Sequence, residues 1–277
     1  MNEALLVTEQ VDVEFPTKGF RRPPFRALSG VSIEITAHET LGLVGESGSG
    51  KSTLGRAILG LAPVTGGTIT FDGRDITHAS RAERRKLGSS IQVIFQDPYS
   101  SLNPTMTVGD ILTEPLAAHG QGRQRARTRV QELLDQVKLP SDAARRTPRE
   151  FSGGQRQRIA IARALALSPR LIICDEPTSA LDLSTQATVL DLLIDIQQST
   201  GVAYLFISHD LAVVRHISHR VAVMLRGEIV ETGDCVQITS DPQHGYTQRL
   251  LMAAPVAHPR RQAERREMRR ELLARQS

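Results

Sequence analysis

Within the run GESGSGKS, residues Gly45, Gly50, Lys51 and Ser52 stand at the spacing G-x-x-x-x-G-K-[ST]. Glycines let successive backbone N–H groups curl around one anion, so Gly45, Glu46, Ser47, Gly48, Ser49 and Gly50 can cradle phosphate oxygens. Lys51 adds a cation for the β and γ phosphates, and Ser52 adds a hydroxyl suited to Mg²⁺. Thr53 sits in the first turn of the helix that follows, whose N-terminus carries partial positive charge. A second constellation, LIICDE, ends an apolar run in two carboxylates. Asp175 at the strand tip can serve a metal-bound nucleotide, and the adjacent Glu176 can polarise an attacking water.

These groups need elements to hold them. Leu41, Leu43 and Val44 form a short buried strand that feeds the glycine run, and Lys51 to Leu61 continues as a helix with Leu54, Ala57, Ile58 and Leu61 on one face. Upstream, Val11, Val13 and Phe15, then Val31, Ile33 and Ile35, alternate with polar residues as half-buried antiparallel strands, with PTKGFRRPP as the loop between them. Thr68 to Phe71 is a strand closed by an Asp72-Gly73 turn, and Ile91 to Phe95 a buried strand ending at Gln96. From Asp97 to Ala166 the period changes to that of helices, at Val108 to Leu116, Arg127 to Val137 and Arg156 to Ala166, separated by Pro104, Pro140 and Pro148. Strands return at Leu171 to Cys174, Ala203 to Ile207 and Val221 to Leu225, alternating with helices near Thr185 to Gln198 and Leu211 to His216, the pattern of an α/β parallel sheet. A strand over Glu228 to Thr232 and a C-terminal extension complete the chain.

The 277 residues divide on this reading into a core with an antiparallel subdomain over 1–96, a helical subdomain over 97–166, the rest of the core over 167–235, and an extension and charged tail over 236–277. Apolar runs are strand-sized and far shorter than the roughly 20 residues of a membrane-spanning helix. The first ten residues carry no secretory pattern, which places the chain in the cytosol. Cys174 and Cys235 have no paired spacing, so neither a disulfide framework nor a metal cluster is expected. The formal charge of +4 resides in the tail, where His258 to Ser277 holds seven Arg and three Glu; the remainder is neutral, and no nucleic-acid partner is expected.

Together the ordered motifs resemble those of the ATP-binding cassette (ABC) ATPases: GESGSGKS, IFQDP with Gln96, FSGGQ from Phe151 to Gln155, LIICDEPTSALD through Asp182, and FISHD with His209. The resemblance implies a P-loop NTPase with a RecA-like parallel sheet core, an N-terminal antiparallel β subdomain and an inserted helical subdomain. It implies ATP as substrate and Mg²⁺ as cofactor, the latter held by Ser52, Gln96 and Asp175. Two such domains would sandwich two ATP molecules head to tail, so that Ser152, Gly153, Gly154 and Gln155 of one chain complete the site formed by the phosphate loop of the other. Ser152 is a natural N-cap, and the glycines expose amides at a helix start, which fits that role. Glu176, His209, Lys51 and Gln96 resemble the family's catalytic residues, and Asp182 the aspartate that links the two sites. Phe15 resembles the aromatic that stacks on adenine, with Phe20 and Phe25 as competitors.

Two stretches, QDPYSSLNPTMTV from Gln96 to Val108 and DPQHGYTQRLLMAAP from Asp241 to Pro255, resemble the ATPases of bacterial oligopeptide, dipeptide and nickel importers. That implies a peripheral subunit on the cytoplasmic face of the inner membrane, paired with a second ATPase subunit, a different chain in preference to a second copy of this one. It further implies contact with two permeases through the surface around Gln96 to Pro104, and an indirect link to an extracytoplasmic solute-binding protein. The rival is a soluble ABC ATPase acting on nucleic acid or ribosomes, against which the neutral body counts.

Overall fold

A computed structural model describes residues 4–17, 23–97 and 101–253. Two sheets meet in it. The smaller is antiparallel with order β2-β1-β4-β5, built from β1 (Ala4–Phe15), β2 (Phe25–Thr36), β4 (Gly66–Phe71) and β5 (Arg74–Asp75). The larger has order β10-β9-β3-β8-β7-β6, from β3 (Thr40–Val44), β6 (Ile91–Ile94), β7 (Leu171–Asp175), β8 (Ala203–Ser208), β9 (Arg220–Leu225) and β10 (Glu228–Asp234). Four of its five pairings are parallel, and at the edge β9 and β10 form an antiparallel hairpin. Arg226 and Gly227 both take positive φ in that hairpin's turn, 48° and 85°, as a tight turn matched to strand twist requires.

Alternation along the central strands sends side chains to two separate cores. Ile173, Leu205, Ile207, Ala222 and Met224 face the antiparallel sheet and helix α1 (Lys51–Ile58). Their neighbours Ile172, Cys174, Tyr204, Phe206, Val221 and Val223 face the opposite helical layer. Both faces are therefore apolar, which is why these strands read as near-continuous hydrophobic runs. Cys174 is wholly buried and Cys235 nearly so, and burial pushes both thiols above their ordinary range.

The helical layer contains α3 (Val108–Ala118), α4 (Arg123–Gln136) and α5 (Gly153–Leu165), with 3-10 turns at Ser141–Arg145 and Pro148–Glu150. Further helices are α6 (Leu183–Thr200), α7 (Leu211–Ile217), α8 (Cys235–Ser240) and α9 (Gly245–Ala253). Each expected helix is present, most of them extended by a few residues.

Two expectations fail at element ends. Helix α1 stops at Ile58 and not at Leu61, because Gly60 turns left-handed at φ 73° and Arg84 donates to the Ile58 carbonyl at 2.7 Å; Leu61 is 65% exposed. Strand β6 ends at Ile94, leaving Phe95 outside the strand and exposed. Helix α2 (Arg81–Leu87), which carries Arg84, has no buried residue and so no apolar period to betray it. Its signal was the capping box of Ser80 and Glu83.

Candidate functional site

The loop from Gly45 to Gly50 leaves the C-terminal end of β3, in the middle of the large sheet, and runs into α1. Glycine is required at both ends by close approach. A Cβ at Gly45 would stand 2.1 Å from the Met224 carbonyl oxygen, and one at Gly50, where φ is 110°, would stand 2.8 Å from the Ala27 carbonyl oxygen. The loop is stitched to both sheets through Gly227, whose N–H donates to the Ser49 carbonyl and whose carbonyl accepts from the Ser29 N–H, each at 2.8 Å.

Gly50 caps α1 without a side chain, and the first intrahelical bond is Leu54 N–H to the Gly50 carbonyl at 3.0 Å. The amides of Lys51, Ser52 and Thr53 therefore have no partner within the helix. The Ser49 hydroxyl is buried without a hydrogen-bond partner among the described residues. Lys51 is 4% exposed, and its ammonium donates to the carbonyls of Gly45 at 2.7 Å and Glu46 at 2.8 Å. Burial pushes this ammonium below the ordinary lysine range, against the opposing pull of the Glu176, Asp175 and Glu46 carboxylates. Orphan amides, an orphan hydroxyl and a desolvated cation form a donor set that a polyphosphate satisfies.

From β7, separated from β3 by β8, the carboxylates arrive where the cation and hydroxyl wait. Ser52 Oγ donates to Asp175 Oδ1 at 2.7 Å, which pairs the two groups suited to hold Mg²⁺. Gln96 follows β6, whose Ile94 pairs with Cys174 of β7, so Gln96 and Asp175 leave the same end of neighbouring parallel strands. Glu176 adopts a left-handed φ of 49°, and its N–H donates to the Ile207 carbonyl at 3.0 Å. That turn redirects the chain at the strand tip, and Glu176 Oε2 meets His209 Nδ1 at 3.2 Å. A non-glycine residue held at positive φ is a form of strain found at working sites.

The signature segment lies elsewhere. Ser152 caps α5, its Oγ accepting from Gln155 N–H at 3.3 Å while Gln155 Oε1 accepts from Ser152 N–H at 3.0 Å. Gly154 packs so tightly on α6 that a Cβ would come within 2.3 Å of Thr185 Cγ2. Among the described residues no hydrogen bond joins Ser152, Gly153, Gly154 or Gln155 to the phosphate loop of the same chain. Asp182 caps α6, accepting from the hydroxyls and amides of Ser184 and Thr185, and these bonds hold its carboxyl far below the usual range. Phe15 and Phe25 are cross-strand partners at one end of the β1–β2 pair, both exposed, so the two candidates for an adenine contact share one place; Phe20 lies outside the described residues.

One contact was not foreseen. The Tyr246 hydroxyl, on α9, accepts from the Glu46 N–H at 3.0 Å, bringing the C-terminal extension onto the phosphate loop. The 200 positions between these residues conceal the contact from any local pattern.

The arrangement of loop, strand-tip carboxylates and signature turn has counterparts among known proteins. The sequence model described as "ABC transporter" matches residues 28–179. The chain belongs to the ABC transporter family. Among curated ABC relatives, the oligopeptide transport ATP-binding protein OppD of Mycobacterium tuberculosis is 52% identical over 85% of this chain and 39% of its own length. The glutathione import ATP-binding protein GsiA of Escherichia coli K12 is 54% identical over 87% of this chain and 39% of its own length. This chain thus spans about two fifths of each. Among solved structures, cbiO1 of Clostridium perfringens, part of the ABC transporter complex cbiONQ, superposes with TM-score 0.77 at 27% identity, covering 86% of this chain and 92% of that one. The ATP-binding cassette MJ0796, a dimer in a post-hydrolysis state bound to ADP and Pi, superposes with TM-score 0.74 at 29% identity, covering 83% and 98%.

Proposed function

We propose that this chain is the ATP-hydrolysing subunit of a membrane ABC transporter that powers import of peptides or similar small solutes. The observation that carries the reading is the convergence at one end of the parallel sheet of Lys51, the Ser52–Asp175 pair and the Glu176–His209 pair. The names of the relatives OppD and GsiA support the cargo class.

In this reading Gly45 to Thr53 bind the triphosphate through backbone amides and Lys51, and Phe15 stacks on adenine. Ser52, Gln96 and Asp175 hold Mg²⁺, which supplies charge neutralisation at the phosphates. Glu176 accepts a hydrogen bond from water and takes its proton as the oxygen bonds to the γ phosphorus, while the bond from that phosphorus to the β–γ bridging oxygen breaks, leaving ADP and inorganic phosphate and returning the proton to solvent. His209 hydrogen-bonds the γ phosphate while its ring is steadied by Glu176.

Among the described residues the signature turn makes no bond to its own phosphate loop, and we read Ser152, Gly153, Gly154 and Gln155 as offered to the nucleotide of a second ATPase subunit, whose equivalent turn completes this chain's site, with Asp182 linking the two sites. That second subunit is a different chain, the pair sits on the cytoplasmic face of the inner membrane, and a solute-binding protein acts outside. The 97–166 segment forms the helical subdomain, between core parts over 1–96 and 167–235 and followed by the 236–277 extension. Two permeases contact the surface around Gln96 to Pro104, of which residues 98–100 lie outside the described residues. Among the described residues no helix is long and apolar enough to cross a membrane.

Glu176→Gln tests the chemistry. In the assembled complex it is expected to lower ATP turnover by ~10²- to 10⁴-fold, the usual worth of a general base, with ATP binding retained. Turnover at the wild-type rate would remove Glu176 from the role and this reading with it.

A further inference from the structure

The peptide group joining Gly45 to Glu46 is gripped on both edges. Its carbonyl, that of Gly45, accepts from Lys51 Nζ at 2.7 Å, and its N–H, that of Glu46, donates to the Tyr246 hydroxyl at 3.0 Å. A trans peptide is a planar plate with N–H and C=O on opposite edges, so whatever fixes one edge fixes the other. The bond at the N–H also polarises the carbonyl, which strengthens its hold on Lys51.

Tyr246 is itself firmly placed. Its ring is 4% exposed, and its N–H donates to His244 Nδ1 at 3.2 Å. Two and three residues earlier, the His244 N–H at 3.2 Å and the Gln243 N–H at 2.7 Å donate to the carboxylate of Glu231 on β10. The extension is thus anchored on the edge strand of the sheet and delivers one hydroxyl to the loop that meets the phosphates.

We infer that Tyr246 is a positioning residue for ATP binding: through the Gly45–Glu46 peptide it holds Lys51 and the start of the phosphate loop in the conformation that receives the triphosphate. Without the hydroxyl, the Glu46 N–H loses its acceptor and the plate is free to turn, so the loop must be ordered at the moment of binding. The inference rests on the reading that Gly45 to Thr53 bind the phosphates.

Tyr246→Phe removes the hydroxyl and keeps the ring in its pocket. Titrating ATP into the full chain is expected to show Kd raised by about 3- to 10-fold, the worth of one neutral hydrogen bond. Thermal unfolding of the nucleotide-free chain should fall by no more than about 4 °C, the cost of one hydrogen bond with the packing intact. An unchanged Kd overturns the inference, and so does a weakening matched by a much larger fall in unfolding temperature, which would assign Tyr246 a structural role alone. Lys51→Ala separates this outcome from failure of the underlying reading: if that variant binds ATP as wild type does, the phosphate site itself has been misplaced, whatever Tyr246→Phe does.

Discussion

Helices α1 and α5 both begin in a run of serine and glycine, yet they treat their first backbone amides in opposite ways. At α1 the capping position is Gly50, no side chain accepts from the first turn, and Ser49 and Lys51 on either side of it are buried while Glu46, Ser47 and Gly48 of the same loop stand exposed. At α5 a reciprocal box of Ser152 and Gln155 satisfies two amides from within, and Ser152 stands exposed. An uncapped N-terminus flanked by a buried unpartnered hydroxyl and a buried ammonium, as at Ser49 and Lys51, is a donor set open to an anionic ligand. A self-capped, exposed N-terminus is complete in the isolated chain and can be offered whole to a partner. The contrast teaches that one Ser-Gly run is built to be finished by a small anion and the other to finish somebody else's site.

The comparison breaks most visibly at Lys51. Lys51→Ala removes the cation that the open N-terminus shares with its ligand, and ATP affinity of the single chain should fall by ~100-fold, measurable by calorimetric titration. Retained affinity would mean that α1 is no more a phosphate site than α5. Ser152→Ala probes the other end. Loss of the cap should lower stability by about 1 kcal/mol, seen as a drop of a few degrees in the thermal midpoint. ATP affinity of the single chain should not change, and a marked weakening would show that α5 serves its own chain's nucleotide.

The smallest effect concerns a third helix start. Asp182 caps α6 as an ionised carboxylate whose bonds to Ser184 and Thr185 hold its folded-state pKa below the ordinary value. A depressed carboxyl stabilises the fold above its unfolded pKa, and that stabilisation is lost as pH falls through the folded value. Asp182→Asn keeps a competent cap but cannot titrate, so its acid-unfolding curve should be shallower than wild type at the acid extreme and parallel to it near neutrality.

Much of the site could be read before any coordinates, because its chemistry is carried by contiguous runs. Gly45 to Ser52 declares itself by spacing, and Asp175 and Glu176 by standing at the end of an apolar strand; the Ser52–Asp175 bond follows from parallel strands ending at the same edge. Strand and helix order was legible for the same reason, since two-sided burial of β3, β7, β8 and β9 writes apolar runs into the sequence. What escaped has a common cause. Helix α2 sets only a half-buried Leu87 against the core, Leu61 continues an apolar period past the point where Gly60 and Arg84 stop the helix, and Tyr246 reaches Glu46 only because the sheet edge folds the extension back. Each depends on a contact between distant segments, which a periodic pattern does not encode.

The full burial of Cys174 and near burial of Cys235 give the chain a chemically silent background. Neither sulfur is presented to an alkylating reagent, and both are shifted away from the reactive thiolate. With two cysteines in the whole sequence, a single engineered thiol becomes the sole address for a probe. Cysteines placed at exposed positions beside the phosphate loop and beside the α5 turn could then be cross-linked between molecules, turning the geometry of partnership into a band on a gel.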